Sequence, residues 1–151
     1  MHLAELNIAR LLAPTDDPLV AEFMANLDRI NGMGKRMPGF VWIMEGTGTE
    51  DTGNTETKLF GDPQYVSNLT VWEDFESLST FVHQTLHAKF MARKAEWFHH
   101  VDKPQFVMWW IAEGHIPTLD EALERLTHLQ DKGDSDHAFG WDWMRQKQAG
   151  E

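Results

Sequence analysis

The sequence contains no cysteine and only one tyrosine among its 151 residues. Without cysteine the chain forms no disulfide, offers no thiolate to a metal and has no cysteine nucleophile. Lys and Arg number 13 against 24 Asp and Glu, which gives a formal charge of −11 and a pI near 5.0. Such a chain lacks the basic stripe that binds a phosphate backbone or an anionic bilayer. We therefore expect neither a nucleic acid nor a membrane as partner.

Long apolar runs and glycine-rich motifs are also missing. The longest strongly apolar run, Phe106–Ala112, is far shorter than the ~20 residues of a membrane-spanning helix. The first residues include Glu5 and Arg10 and show no signal-peptide pattern, which predicts a cytoplasmic protein. No phosphate-binding loop, nucleophile elbow or dinucleotide fingerprint occurs, so the sequence gives no support to nucleotide-dependent chemistry.

Aromatic residues are abundant, with seven tryptophans and nine phenylalanines in a chain that is 42% hydrophobic. Each buried aromatic ring removes ~150–250 Å² from water, so this inventory suffices for one well-packed domain. We predict a core over residues 1–113 and a C-terminal extension over residues 114–151 that belongs to the same domain.

Apolar periodicity predicts the order strand, helix, strand, strand, helix, strand. The first helix follows the Asp17-Pro18 cap, and the second follows Asp74 and bends near Thr85. This order indicates a ferredoxin-like α+β fold, with helices on one face of an antiparallel sheet. Residues 46–64 show no sustained period and predict a long solvated loop. The predicted strands are Leu3–Leu12, Gly39–Glu45, Tyr65–Trp72 and Gln105–Ile111.

The fourth predicted strand is apolar on both faces, so it needs a cover on each side. Helices cover one face, and a second copy of the sheet is the simplest cover for the other, which predicts a homodimer. Beyond it, Thr118 and Glu121 have capping-box spacing and begin an amphipathic helix. Phe139, Trp141 and Trp143 then alternate with Gly140 and Asp142, which predicts an extended tail laid on an apolar surface.

Histidines carry the most motif-like pattern, in the string His83-Gln84-Thr85-Leu86-His87. Two histidines at i and i+4 share a helical face and can chelate a metal, but glutamine stands where a zinc protease needs glutamate. A third ligand is also missing, so we assign no metal. His87 is the best candidate for proton chemistry, because a reference pKa of ~6.5 suits a general base. The alternative is a core histidine satisfied by a carbonyl or by Asn68.

Polar residues inside the predicted strands point in the same direction. Asn7 interrupts the first strand, while Asn68, Thr70 and Trp72 share one face of the third. A buried amide without a partner costs ~1–3 kcal/mol. Such residues therefore either bridge backbone groups at a strand irregularity or point into a cavity and orient a ligand. Trp42 and Met91 are likewise either core or pocket wall.

Several segments then occur in a recognisable order: HLAELNIARL, PGFVW, NLTVWEDFESLSTFV, VMWW and GHIPTLDEALERL followed by AFGW. Together with the stretch from His87 to Trp97-Phe98, they resemble an uncharacterised bacterial family of unknown function near the antibiotic-biosynthesis monooxygenases of the dimeric α/β-barrel superfamily. The resemblance covers most of residues 2–141. It implies that two ferredoxin-like subunits join their sheets into a barrel, with a pocket between each sheet and its helices.

Members of that superfamily differ in activity, since some oxygenate phenolic or anthrone-like substrates without a cofactor and others bind or degrade haem. In this resemblance His87 matches a histidine of many small monooxygenase-like members, and Asn7 matches an asparagine of haem-degrading relatives. Met91 stands where those relatives carry the haem-ligating histidine, and Phe81 where they carry a helical tryptophan. Both departures count against haem degradation.

The resemblance thus implies cofactor-independent oxygenation of a small aromatic or enolisable substrate. His87 would remove a proton, and Asn68 and Asn7 would donate hydrogen bonds to the oxyanion. The expected substrate-binding residues are Trp72, Phe81, His83, Met91 and Trp42. One alternative is binding of haem or another flat hydrophobic ligand without turnover, with His83, His87 or Met91 within reach of the iron. Another is an assembly or regulatory role with a fully packed interior.

Overall fold

The computed structural model describes residues 1–44, 60 and 62–150, and so leaves out most of the predicted 46–64 loop. Four strands form one antiparallel sheet: β1 (His2–Arg10), β2 (Phe40–Ile43), β3 (Tyr65–Trp72) and β4 (Phe106–Ile111). Their order in the sheet is β2-β3-β1-β4. With one helix between β1 and β2 and two between β3 and β4, this is the ferredoxin-like arrangement, and the predicted fold class is confirmed.

The helices begin at the residues whose side chains cap them. Helix α1 (Ala21–Lys35) follows a short 3-10 turn over Pro18–Val20, in which the Asp17 carboxylate accepts the Leu19 N–H at 2.8 Å. Helix α2 (Phe75–Gln84) begins where Asp74 accepts the Ser77 N–H at 2.8 Å. These contacts satisfy N–H groups that have no partner inside a helix.

A break at Thr85 separates α2 from helix α3 (Leu86–Ala92), where the sequence predicted a bend. The Thr85 backbone is extended, with φ −123° and ψ −171°, and its hydroxyl accepts the His87 N–H at 3.2 Å. The same hydroxyl donates to the carbonyl of Phe81 in the preceding turn. Thr85 therefore ends one helix and caps the next, which fixes the direction in which α3 presents His87.

Two further helices follow β4. Helix α4 (Leu119–Lys132) is capped by Thr118, whose hydroxyl accepts the Glu121 N–H at 3.1 Å, and it ends at Gly133 with φ +82°. Glu121 also accepts a hydrogen bond of 2.9 Å from the Trp109 indole of β4, which attaches α4 to the sheet. Helix α5 (Trp141–Ala149) completes the described chain. Among the described residues, no helix has both the length and the apolar character needed to cross a bilayer.

Both faces of the sheet are covered by helices of the same chain. Helices α1 and α2 pack on the face that carries Leu3, Trp72 and Met108. Helix α4 packs on the opposite face, where its apolar side (Ala122, Leu126 and Leu129) meets Ala4, Leu6, Ile8, Leu69, Val71, Val107, Trp109 and Ile111. The prediction that this second face needs a partner's sheet is wrong, because α4 already removes it from water. The homodimer stays a prediction, without that reason to support it.

The aromatic tail is helical where an extended segment was expected, and this is a correction. Phe139 does pair with β4, exchanging backbone hydrogen bonds of 2.8 and 3.0 Å with Met108. From Trp141 onward, however, the chain is α-helical. Phe139, just before the helix, stacks on Trp143 of its first turn with ring centroids 4.6 Å apart. Trp141 instead stacks on Phe106 of β4 at 5.0 Å.

Removing the cover of the second face should destabilise the protein. Leu126 is 2% exposed at the centre of the α4 contact. We expect Leu126→Ala to lower the free energy of unfolding by about 2–5 kcal/mol, because it leaves a cavity between helix and sheet. Urea denaturation followed by tryptophan fluorescence measures the change. The neighbouring exposed Thr127→Ala is the matched control, and equal losses in the two variants would show that α4 does not cover the sheet.

Candidate functional site

A cavity of about 300 Å³ lies between helices α1 and α3 and the face of the sheet that α1 and α2 cover. Its walls are mostly apolar, with Ile30 of α1, Phe90 of α3 and Trp97 among them. The volume is at the lower end of the range for small-molecule sites, roughly 300–1,000 Å³. Four polar side chains from different elements converge on this apolar space, namely those of Asn7, Asn31, Asn68 and His87.

Asn7 and Asn68 are direct partners across β1 and β3. Because side chains alternate along a strand, both lie on the same face as Glu5 and Thr70. This is the face that α1 and α2 cover. Both amides are half-buried and line the cavity. The sheet register therefore brings together two amides that are 61 residues apart in the sequence.

His87 is held against the cavity with one ring nitrogen buried. Its Nδ1 has no hydrogen bond partner among the described residues, and its ring lies 5.1 Å from that of Phe81. Burial lowers the pKa of His87 to about 4, since the charged imidazolium is poorly solvated there. A backbone contact at Val82 opposes the shift, and the nearby His83 adds to it. The ring is thus neutral at pH 7, whereas the sequence suggested titration near 6.5.

Asn31 is a further polar group of the cavity, and the sequence analysis did not single it out. It is 7% exposed, and its Nδ2 donor has no hydrogen bond partner among the described residues. A signal was present, because Asn31 lies four residues after the buried Leu27 and so on the buried face of α1. The two side chains that carry these unpartnered buried nitrogen atoms, Asn31 and His87, therefore both belong to the lining of one cavity.

The other residues expected at the site lie in different places. Met91, one turn after His87, lines the cavity and is 40% exposed. Trp72 and Phe81 stack on each other at 5.3 Å in the core and are not part of the lining. Phe81 reaches the site only through its contact with the His87 ring.

His83 and Trp42 lie away from the cavity. His83 is exposed, its Nδ1 is 3.1 Å from the carbonyl of Ser79, and its ring meets the edge of Trp141 at 4.7 Å. The two histidines of the motif-like string therefore lie in different surroundings. Trp42 packs with the core on the α4 side of the sheet, which is the opposite face. Neither residue lines the cavity.

A buried acid lies two residues from Asn7 on the same side of β1. Glu5 is 3% exposed, and its carboxyl accepts a hydrogen bond of 2.6 Å from the Thr70 hydroxyl. Thr70 in turn accepts the Trp72 indole N–H at 2.9 Å. Burial raises the pKa of Glu5 to about 8, and the Thr70 hydrogen bond offsets only part of this rise. Glu5 is therefore mostly protonated at pH 7.

No group of three or more His, Cys, Asp or Glu side chains that could hold a metal ion occurs within residues 1–44, 60 and 62–150. Among the described residues, the cavity combines the neutral imidazole of His87, four side-chain amides and aromatic walls, which suits a flat ligand bearing a hydrogen-bonding oxygen.

Comparison with known proteins adds a family and several distant structural neighbours. A family model described as "Domain of unknown function (DUF3291)" matches residues 2–151. No curated protein matches the chain significantly.

The solved structures that match include SnoaB, a cofactor-independent oxygenase from Streptomyces nogalater, at 14% identity and a TM-score of 0.48, covering 78% of this chain and 98% of that one. A conserved protein from Methanosarcina mazei matches at 12% identity and 0.49, covering 74% and 94%. A monooxygenase from Streptomyces coelicolor, solved with nanaomycin D, matches at 13% and 0.40, covering 78% and 92%. At these sequence identities and TM-scores, the structural similarity supports no conclusion about the function of this chain.

The buried acid gives a testable pH dependence of stability. The pKa of Glu5 rises from 4.5 in the unfolded chain to about 8 in the folded one. Between these values the unfolded chain releases a proton that the folded chain retains, so stability falls as pH rises from about 4.5 to 8. We expect Glu5→Gln, which keeps an acceptor for Thr70, to remove this fall, amounting to roughly 3–5 kcal/mol at about 1.4 kcal/mol per pKa unit.

Denaturant titrations at pH 5, 6, 7 and 8 measure this difference. The gap between Glu5→Gln and the unmodified protein should widen steadily in favour of the variant as pH rises. The exposed Glu73→Gln serves as the control and should run parallel to the unmodified protein. Parallel curves for Glu5→Gln as well would mean that Glu5 titrates at its ordinary pKa.

Proposed function

The chain belongs to the family defined by the domain of unknown function DUF3291, and from this premise we propose that it is a monooxygenase-like enzyme. The proposed reaction is cofactor-independent oxygenation of a small aromatic or enolisable substrate in the cavity between the sheet and helices α1 and α3. The resemblance of its sequence segments to the antibiotic-biosynthesis monooxygenases motivates this reaction, and the side chains of the cavity support it.

One observation carries the proposal: His87 and Asn31, which both line an apolar cavity, each have a buried side-chain nitrogen without a hydrogen bond partner among the described residues. A buried polar atom without a partner costs ~1–3 kcal/mol, and a ligand that bonds to both would remove that cost. In the tautomer that carries its proton on Nε2, His87 Nδ1 presents a lone pair, so it accepts a proton. Asn31 Nδ2 is a donor, so it stabilises a developing negative charge on oxygen.

These roles account for every atom of the reaction at an activated CH₂ group. His87 takes a proton from the carbon, and the carbanion transfers an electron to O₂ before radical recombination forms the C–O bond. The imidazolium then returns the proton to the peroxide. Loss of the second C–H proton breaks the O–O bond, so the products are a ketone and water. Asn31, Asn7 and Asn68 line the same cavity, and we expect them to donate hydrogen bonds to the oxyanion during these steps.

The low pKa of His87 limits its strength as a base but keeps it in the basic form throughout the physiological range. An imidazolium beside an enolate forms an ion pair, which is strong in a cavity of low dielectric and raises the pKa of the ring while the anion is present. In this proposal the amide donors of Asn31 and Asn68 also stabilise the enolate. Proton transfer thus depends on both partners being held together in the cavity.

Replacing the base should abolish oxygenation. We expect His87→Ala to lower the rate on an anthrone-type panel by about 10²- to 10⁴-fold, the usual contribution of a general base. Oxygen uptake, corrected for autoxidation without protein, measures the rate. His83→Ala is the matched control, because this exposed histidine on α2 does not line the cavity, and we expect it to stay within about twofold. Equal rates in His87→Ala and the unmodified protein would exclude the proposed base.

The acid limb of the pH profile should lie near pH 4. Activity requires neutral His87, so kcat/KM falls as pH drops through the pKa of about 4 and is flat above about pH 5 for a substrate that does not itself titrate there. Oxygen uptake from pH 3.5 to 8, with circular dichroism to verify folding, measures the profile. A limb centred near pH 6.5 would contradict the combination of His87 as the essential base with its lowered pKa.

Binding of haem or another flat ligand without turnover is the second candidate, favoured by His87 and Met91 lining one cavity a helical turn apart. A volume of about 300 Å³ suits two or three fused rings better than a porphyrin. Titration of the protein with haem, followed by absorbance in the Soret region, tests this function. A Soret shift that is lost in His87→Ala supports haem binding. A spectrum identical to haem in buffer eliminates it.

A further inference from the structure

The lining of the cavity differs in charge from the rest of the molecule. Asp and Glu make up 24 of the 151 residues, yet none of the described residues that line the cavity is acidic. The lining instead includes Lys94 and the histidines His87, His99 and His100. A chain of charge −11 repels anions in general, so this cavity is a local exception to the field of the protein.

Of these residues, Lys94, His99 and His100 lie at the opening of the cavity, whereas His87 lies further inside. Among the lining residues the structure describes, the exposed ones all belong to one segment, residues 91–100, and we call them the rim: Met91, Lys94, Ala95, His99 and His100. The lining residues of the sheet and of α1 are buried or half-buried. A ligand whose inner end meets Asn31 and His87 therefore presents its outer end to the rim.

Most charged groups near the rim are already paired. Arg93, immediately before Lys94, binds the carboxylates of Glu22 at 2.6 Å and Glu96 at 2.7 Å. The other pairs are Arg10 with Asp62 at 2.7 Å and His100 with Asp102 at 2.8 Å. His99 Nε2 lies 2.9 Å from the Arg10 guanidinium and accepts a hydrogen bond from it.

Lys94 differs from these groups. None of the ion pairs found among the described residues involves it. It is the only Lys or Arg in the described lining of the cavity. Its ammonium group is thus available to a negative charge placed at the rim.

We propose that the ligand of this cavity carries a carboxylate at its outer end, which pairs with Lys94 at the rim while the aromatic body lies between the apolar walls. The substrate class is then an aromatic carboxylic acid whose oxidisable, oxygen-bearing end faces Asn31 and His87. This assignment rests on the proposed function only in taking the cavity to be the ligand site. Lys94 selects the ligand and takes no part in the chemical step.

Matched probes that differ only in charge test this proposal. The probes are 6-hydroxy-2-naphthoate and its neutral carboxamide, with binding measured by calorimetry at pH 7.5 and low salt. We expect the carboxylate to bind about fivefold tighter, since an exposed ion pair contributes at most about that factor. The preference should disappear in Lys94→Gln, persist in Lys94→Arg and weaken in 1 M salt. Lys89→Gln, an exposed lysine of α3 outside the lining, is the control and should keep it.

Three results would overturn the proposal: equal binding of the two probes, a preference that survives Lys94→Gln, or binding of neither probe at millimolar concentration by the folded protein. Oxygen uptake on the anthrone-type panel, measured with the same protein preparations, separates this proposal from the proposed function. A carboxylate preference without uptake refutes the oxygenase and leaves the ligand class standing. Uptake with neutral substrates and no charge preference refutes the ligand class alone.

Discussion

A four-stranded sheet that is apolar on both faces has to be shielded from water on both, and this requirement organises the molecule. The chain meets it internally, with α1 and α2 on one face and α4 on the other. The hydrogen bond from the Trp109 indole to Glu121 holds α4 in place at the start of the helix, where an acidic side chain also suits the helix dipole. Helix α4 takes the place that a second sheet would occupy. The face beneath α4 is therefore packed core, whereas the opposite face contains the cavity.

Desolvation on the face covered by α1 and α2 explains the shifted pKa values of Glu5 and His87. Burial disfavours charge, so it raises the pKa of Glu5 to about 8 and lowers that of His87 to about 4. Both groups are consequently uncharged at neutral pH, and this side of the sheet carries hydrogen-bonding capacity without net charge. Within the described lining, Lys94 supplies a positive charge at the opening of the cavity. An uncharged interior with a basic rim is the arrangement on which the proposed ligand class depends.

Much of the fold could be predicted because its signals are local. Asp74 and Thr118 cap the helices that the sequence assigned to them, and the bend expected near Thr85 is a break at that residue. The tail was misjudged because alternation over five residues, from Phe139 to Trp143, fits a strand and the start of a helix equally well. The contacts of Trp141 with Phe106 and of Phe139 with Trp143 decide for the helix.

The site could be predicted only in part, for a physical reason. The sequence by itself determined which residues carry the polar chemistry of β1 and β3, since strand periodicity places Asn7, Asn68, Thr70 and Trp72 without reference to the rest of the chain. Tertiary structure alone decided which of two histidines, four residues apart on what read as one helix face, borders the cavity. It also decided that Asn31 joins His87, that Trp42 lies on the opposite face, and that Glu5 is protonated. The burial of a side chain, and its contact with residues that are distant in the sequence, depend on how helices and strands pack together. No local sequence pattern encodes that packing.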